Sequence, residues 1–443
     1  MTTPEASAPL AGVTPGRARE PRWHALDTLR AAAMASVLIS HGSLAYIHHR
    51  IPGLLWLVHD PSDWLVFDVL FHWTRVAVPL FFALSGFFAV LIHDAKGPTG
   101  FLKDRARRIL TPLLVGLLTV LPLSLWVWAY GWFRSGRCSD RQFLRLVFSD
   151  PELRSNRLGT GHLWFLVYAL GYLAIYAACR HLTRHRPRPQ ADEPTPRWGR
   201  ALLSPLAPLA LTLPTALILW LTHEPNGIDA LLNRRNAFLP EPSRFLYYGL
   251  FFAFGVALHR IRGDLDRLRP WAWTYLGVSL LAFAGRFAHL MVELPGTPAT
   301  NGQIITSSFL GALTCWTSVY ALLGVAQRYA TRESARARYL ADASYWVYWC
   351  HMPILGLLEV HLLPMPWPQG LKFVVVVAVT GAWTLATYQV FVRHTAIGRW
   401  LHGPRQRRNS PAPGVKTHPG GEANRPARRD RPSTQSVIRQ ETR

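Results

Sequence analysis

Ten apolar stretches, each close to the length needed to cross a bilayer core, recur along this chain at about 25–47, 68–93, 109–132, 160–180, 201–222, 244–259, 270–292, 304–327, 341–363 and 371–392. Hydrocarbon offers no water to unpaired backbone groups, so segments of about 20 apolar residues cross it as helices. This pattern predicts an all-α integral membrane protein with about ten transmembrane helices. The stretch at 244–259 is the shortest of the set. Only 16% of the 443 residues are charged, against about a quarter in an ordinary soluble protein. The 18 Trp, 21 Phe and 14 Tyr exclude disorder over most of the chain. The predicted organisation is a polar segment 1–22, a membrane domain 23–400 and a disordered basic tail 401–443.

The net charge of +23 invites a nucleic-acid reading, but its placement argues against one. Residues 392–443 carry twelve Lys+Arg against three Asp+Glu in a Pro/Gly-rich context, the composition of a solvated tail. No interleaving of basic and aromatic residues suggests a base-stacking platform, so nucleic acid is not an expected partner. The other cations lie between apolar stretches and report topology. With ten spans, the side holding both termini has 34 Lys+Arg and the opposite side 10; without the tail the ratio is 22 to 10. The positive-inside rule therefore predicts cytoplasmic termini. The outer segment 133–159 runs against this trend with six arginines, either as a folded loop that tolerates charge or as an anion-attracting vestibule. Cys138, Cys179, Cys315 and Cys350 stand too far apart in sequence for a C-x-x-C zinc or redox site. The first 24 residues show no leader-like apolar core.

Ionisable groups inside a span are costly and by default mark function. The first span, ALDTLRAAAMASVLISHGSLAYI, holds Asp27, Arg30 and His41. Arg30 and His41 are eleven residues apart, which on a helix is three turns plus roughly 20°, or about 16–17 Å of rise on one face. Asp27 lies one turn below Arg30 and can pair with it. A cation near the cytoplasmic boundary and a titratable base near mid-membrane suit a long ligand with a phosphate end and a reactive end. The alternatives are a snorkelling topology anchor for Arg30 and an interhelical hydrogen bond for His41.

After the second span, FLKDRARRILTPLL places Arg105 and Arg108 on one helix face, with Lys103 and Arg107 nearby. Such a cluster suits phosphates, or equally lipid headgroups. Ser85 and Gly86 form a small-residue packing notch. His162 opens the fourth span beside Trp164, Phe165 and Tyr168, as a catalytic partner or as part of an interfacial belt. In the ninth span Ser344, Tyr348 and His351 form a polar stripe that must face other helices or a cavity, and Glu359 lies further along. There is no G-x-S-x-G, H-E-x-x-H or G-x-x-x-x-G-K-[ST] motif, which disfavours the usual serine hydrolase, zinc protease and ATP-driven pump.

Taken in order, LDTLRAAAMASVLISH, VPLFFALSGFF, FLKDRARRILTPLL, HLWFLVYAL, FLYYGLFFAFG, YLADASYWVYWCHMPI and VRHTAIGRWL resemble acyltransferase family 3, the integral membrane O-acyltransferases. YYGLFFAFG and YLADASYWVYW point to its glucan-biosynthesis protein C-like branch. The resemblance implies a multi-pass protein of the bacterial inner membrane. It also implies cytoplasmic acyl-CoA as donor substrate, no tightly bound cofactor, and an acyl group of acetyl or succinyl type. The acceptor would be a hydroxyl of an extracytoplasmic carbohydrate or lipid. By the same resemblance Arg30 and His41 match the family's essential Arg-His pair, and Arg105 and Arg108 its R-x-x-R motif. Ser344, Tyr345 and His351 match its late S-Y...H motif. The expected catalytic set is His41, Arg30 and His351, with Arg30, Arg105 and Arg108 on the donor phosphates. His162, Ser344, Tyr345, Tyr348 and Glu359 would line the acceptor side, and no metal is expected. The rival class is a transporter or flippase for a lipid-linked or acylated sugar, which favours inverted repeats with broken helices; no internal repeat is visible.

Overall fold

A computed structural model describes residues 23–49, 51, 54, 56–139, 159–184, 194–223, 237–292 and 299–402. Most of the arginine-rich segment 133–159 and nearly all of the basic tail lie outside the described residues, as does the polar segment 1–22. Every described element is helical. In order they are α1 (His24–Ser43), α2 (Val66–Thr74), α3 (Ala77–Arg105), a π-helical turn (Ala106–Leu110), α4 (Thr111–Leu118) and α5 (Val120–Arg134). A 3-10 turn (Gly161–Leu163) leads into α6 (Trp164–Leu182), then α7 (Arg197–Leu202), α8 (Ala207–Leu221) and α9 (Pro242–Arg260). The chain continues through a 3-10 segment (Arg262–Leu268), α10 (Ala272–Val292), α11 (Asn301–Tyr329), α12 (Ala335–Leu362), α13 (Gln369–Thr387), a second π-helical turn (Tyr388–Val392) and α14 (Ala396–His402).

Four helical stretches among the described residues are long and apolar enough to cross a membrane: Val66–Arg134, Gly161–Leu182, Asn301–Tyr329 and Gln369–Val392. Both α1 and α12 have the length but also the polar side chains, and so fall outside this set. The exposed faces of the apolar helices carry large hydrophobic residues such as Leu118, Trp126, Leu213, Leu281 and Val390, as a lipid-facing surface requires.

Several predicted spans are interrupted, each for a local reason. The stretch 68–93 breaks between α2 and α3, because Pro79 has no N–H and its ring would clash with the Arg75 carbonyl of a continuous helix. The Val78 N–H takes that carbonyl instead. The predicted loop 94–108 is mostly helix. A break at Gly97, where φ is +70°, precedes Pro98, which starts the next helical segment. The stretch 109–132 is interrupted at Thr119, whose hydroxyl donates back to the Val115 carbonyl (2.7 Å). The stretch 201–222 begins inside α7 and breaks around Pro205 before α8.

Helix α1 is the hub, packed against α2, α3, α11, α12 and α13. Helices α3 and α9 cross in backbone contact through two glycines. A Cβ built on Gly86 would lie 2.0 Å from the Phe252 carbonyl oxygen, and one on Gly255 would lie 1.8 Å from that of Ala83. Aromatic residues fill the space around this crossing, with Phe82 in ring contact with Phe165, Tyr172 and Tyr248. Helix α1 packs against α3 of this crossing and against α12.

Candidate active site

His41 sits near the C-terminal end of α1 and His351 in the middle of α12, and helix packing brings their rings together. His41 Nδ1 is 3.0 Å from His351 Nε2, with ring centroids 5.1 Å apart. His351 is fully buried, and its Nδ1 lies 2.7 Å from the Tyr348 carbonyl and 3.1 Å from that of Val347. Carbonyls only accept, so His351 Nδ1 carries the proton and, in the neutral ring, Nε2 carries the lone pair. His41 Nδ1 must then be the donor to it, which leaves the lone pair of neutral His41 on Nε2. His41 itself is only half-buried.

His162 closes the other side of His351, its ring edge-on to it with centroids 5.6 Å apart. Pro353 explains why. Proline at that position has no N–H for the Trp349 carbonyl one turn back, and His162 Nε2 donates to that carbonyl at 3.3 Å. The Tyr348 hydroxyl in turn donates to the His162 carbonyl (2.7 Å). The sequence placed His162 at a membrane boundary; the structure buries it beside the histidine pair.

Arg30, three turns below His41 on α1, pairs with Asp27 (3.6 Å) and rests over the Phe88 ring (5.9 Å). It is near enough to Arg108 for their charges to repel. Arg105 and Arg108 both converge on Asp104, Arg108 Nε at 3.2 Å, and Lys96 joins them from across the Gly97 break. Burial would raise the Asp104 carboxyl. The Lys96 hydrogen bond and the charges of Arg105 and Arg108 override it and hold that carboxyl below the ordinary carboxylate range. Arg107 points elsewhere, donating to the Arg399 carbonyl of α14 (2.8 Å).

Three residues expected to line the acceptor side, Ser344, Tyr345 and Glu359, are not brought to the histidines by direct contact. The Ser344 hydroxyl donates to the Ala341 carbonyl of its own helix (2.8 Å). Tyr345 packs among Leu113, Leu166 and Phe165 with its hydroxyl buried and unpartnered among the described residues. Glu359 is buried and accepts the Trp56 indole N–H at 2.8 Å. Asp104, Lys96 and Trp56 are the residues that sequence reasoning missed. Asp104 was visible inside FLKDRARR as an acid among bases; nothing in sequence placed Trp56. Among the described residues no three His, Cys, Asp or Glu gather as a metal site.

An acyltransferase domain matches residues 23–388, which takes in both histidines, both helices that carry them and the whole basic cluster. The chain belongs to acyltransferase family 3. This makes it a membrane O-acyltransferase in class. Glucans biosynthesis protein C of Salmonella schwarzengrund (strain CVM19633) is 25% identical over 373 residues, covering 78% of this chain and 85% of that protein. Its namesake from Escherichia coli (strain SMS-3-5 / SECEC) is 24% identical over 371 residues, covering 81% and 90%. No solved structure matches.

Proposed function

We propose that this acyltransferase moves an acetyl- or succinyl-type group from cytoplasmic acyl-CoA to a hydroxyl of an extracytoplasmic glycan or other carbohydrate-containing acceptor, in the bacterial inner membrane. The arrangement has ten spans with both termini in the cytoplasm, as the charge asymmetry of the loops supports. The observation that carries the reading is the hydrogen bond between His41 and His351. Backbone carbonyls set the tautomer of one ring, and that ring sets the tautomer of the other. A neutral imidazole whose proton is fixed on Nδ1 has its lone pair on Nε2, where a general base needs it.

The acceptor O–H gives its proton to His41 Nε2 as its oxygen attacks the thioester carbon. The C–O bond forms, the C–S bond breaks, and the thiolate of coenzyme A leaves and takes the proton back from the imidazolium. Proton and electron pair balance without a further reactant. His351 Nε2 accepts from His41 Nδ1–H throughout and steadies the charge that develops on the ring. Arg30, Arg105 and Arg108 form the phosphate-binding end, where guanidinium forks match phosphate oxygens. Asp104 pre-orients two of them. The family assignment and the named relatives support the carbohydrate acceptor.

The test uses purified protein in lipid nanodiscs with radiolabelled acetyl-CoA or succinyl-CoA and a glucan oligosaccharide. Release of free coenzyme A with an ester on the sugar is expected, and His41→Ala abolishes it. Normal transfer by His41→Ala overturns the assignment. Movement of labelled sugar across the bilayer with no acyl-CoA consumed would establish the transporter reading instead.

A further inference from the structure

Trp56 lies in the segment between α1 and α2, far in sequence from α12, yet it lies along His41 of α1 and bonds to Glu359 of α12. Its ring is parallel to that of His41, at 10° with centroids 6.3 Å apart. Its indole N–H is spent on Glu359 Oε2 (2.8 Å). The ring is further fixed by Trp128 of α5, edge-on at 5.1 Å, and the Trp56 carbonyl accepts the Trp132 indole N–H at 3.3 Å. Gly356, one turn before Glu359, leaves room on α12 for Leu57 and Val127, whose side chains would lie 3.2 and 2.9 Å from a Cβ there. The segment is therefore seated on α12 and α5 with Trp56 laid along His41.

A carboxyl group 2% exposed in the last turn of α12 needs a reason. Glu359 makes no described contact with His41, His351 or the basic cluster. Its described hydrogen bond holds Trp56, and Oε1 has no partner among the described residues. A buried carboxyl that grips one indole, against an aromatic ring that flanks the reactive imidazole, is an orienting device.

We infer that Trp56 and Glu359 form a positioning pair that fixes the ring plane of His41. This rests on His41 being the base. His351 holds the imidazole at Nδ1, which leaves rotation about that hydrogen bond to be stopped. Trp56 stops it by lying parallel to the ring, and Glu359 stops Trp56. Neither residue touches the reacting atoms in this arrangement, so both act through His41. The arrangement predicts a loss in turnover and not in donor affinity, because the phosphate-binding end lies three turns away on α1.

The experiment compares Trp56→Ala, Glu359→Ala, Glu359→Gln and the Trp56→Ala/Glu359→Ala double variant in nanodiscs, each checked for an unchanged melting temperature. Trp56→Ala and Glu359→Ala are expected to lower kcat by about tenfold to a hundredfold, the size of a misplaced catalytic group, with donor KM unchanged. Glu359→Gln keeps an oxygen for the indole N–H and retains near-normal kcat. The double variant is no worse than either single one. A second readout needs no turnover: the rate at which diethyl pyrocarbonate modifies His41, followed by peptide mass spectrometry. It rises severalfold in Trp56→Ala and Glu359→Ala and stays unchanged in Glu359→Gln. Additive losses, an inactive Glu359→Gln, or unchanged His41 modification in Trp56→Ala overturns the pairing. Full transfer by His41→Ala sinks the base assignment, while the modification rates still decide the pairing.

Discussion

His41 and His351 stand 310 positions apart in the chain and 3.0 Å apart in space, joined nitrogen to nitrogen. The direction of that bond follows from two backbone carbonyls of α12 that take the single ring proton of neutral His351, on Nδ1, and leave its Nε2 to accept. A ring of defined tautomer at a half-buried position is what proton transfer from a substrate hydroxyl requires.

Replacing either histidine should therefore act on turnover. His41→Ala is expected to lower kcat by about 10²–10⁴-fold, the range for a lost general base. His351→Phe keeps the volume but removes the acceptor, and lowers kcat by at least about tenfold, since the imidazole loses the group that fixes its tautomer. Donor KM stays close to normal in both. Steady-state kinetics at saturating acceptor checks this, and a KM effect without a kcat effect would contradict it.

The basic cluster should behave in the opposite way. Arg105→Ala and Arg108→Ala raise the KM for acyl-CoA several-fold each and leave kcat nearly unchanged, as expected for groups that bind ground state and transition state alike. Added salt weakens donor binding less in the double variant than in the parent, because fewer charges remain to be screened. Titration of donor binding at two ionic strengths gives the answer.

The α3–α9 crossing makes a stability prediction. Gly86→Ala and Gly255→Ala each drive a methyl group into the backbone of the opposite helix, and destabilise by about 1–3 kcal/mol or more. Gly277→Ala on the exposed face of α10 meets nothing within 4 Å and stabilises the helix by up to about 1 kcal/mol. Thermal melting in detergent distinguishes them; equal melting temperatures would refute the close approach.

A buried ion pair ties the α1–α2 segment to α13: Lys372 Nζ lies 2.7 Å from Asp60 Oδ2, with Lys372 almost wholly enclosed. Lys372→Met strands the carboxylate and is expected to cost about 3–5 kcal/mol. Lys372→Met with Asp60→Asn recovers part of that loss, since the uncompensated charge has gone. The two melting temperatures, compared in one detergent, test the asymmetry.

Helical architecture was legible from apolar length, because hydrocarbon allows little else. Helix breaks were less so. Proline rules account for those at Pro79 and Pro98, but hydropathy averaged across the first and placed the second in a loop, while the Thr119 break depends on a hydroxyl turning back on its own helix. The Asp27–Arg30 pair was readable from spacing alone. The meeting of His41 with His351 was not, since nothing local in either helix states which neighbour it faces. His162 looked like a boundary residue because its reason for burial, the carbonyl released by Pro353, belongs to another helix. Ser344 fell on the right stripe yet satisfied itself within α12. Trp56 was invisible for a further reason: its partners come from α1, α5 and α12 together.

Because Arg30 and His41 ride on one uninterrupted helix, the rise between them is a fixed gauge of about 16–17 Å. In an enzyme working as proposed, this gauge is set against the pantetheine arm, which is identical in every coenzyme A thioester. The helix therefore measures the carrier and is blind to the cargo. Preference for a short or a dicarboxylic acyl group has to be written in the side chains that surround the far nitrogen of His41, so relatives can exchange one cargo for another while leaving α1 untouched.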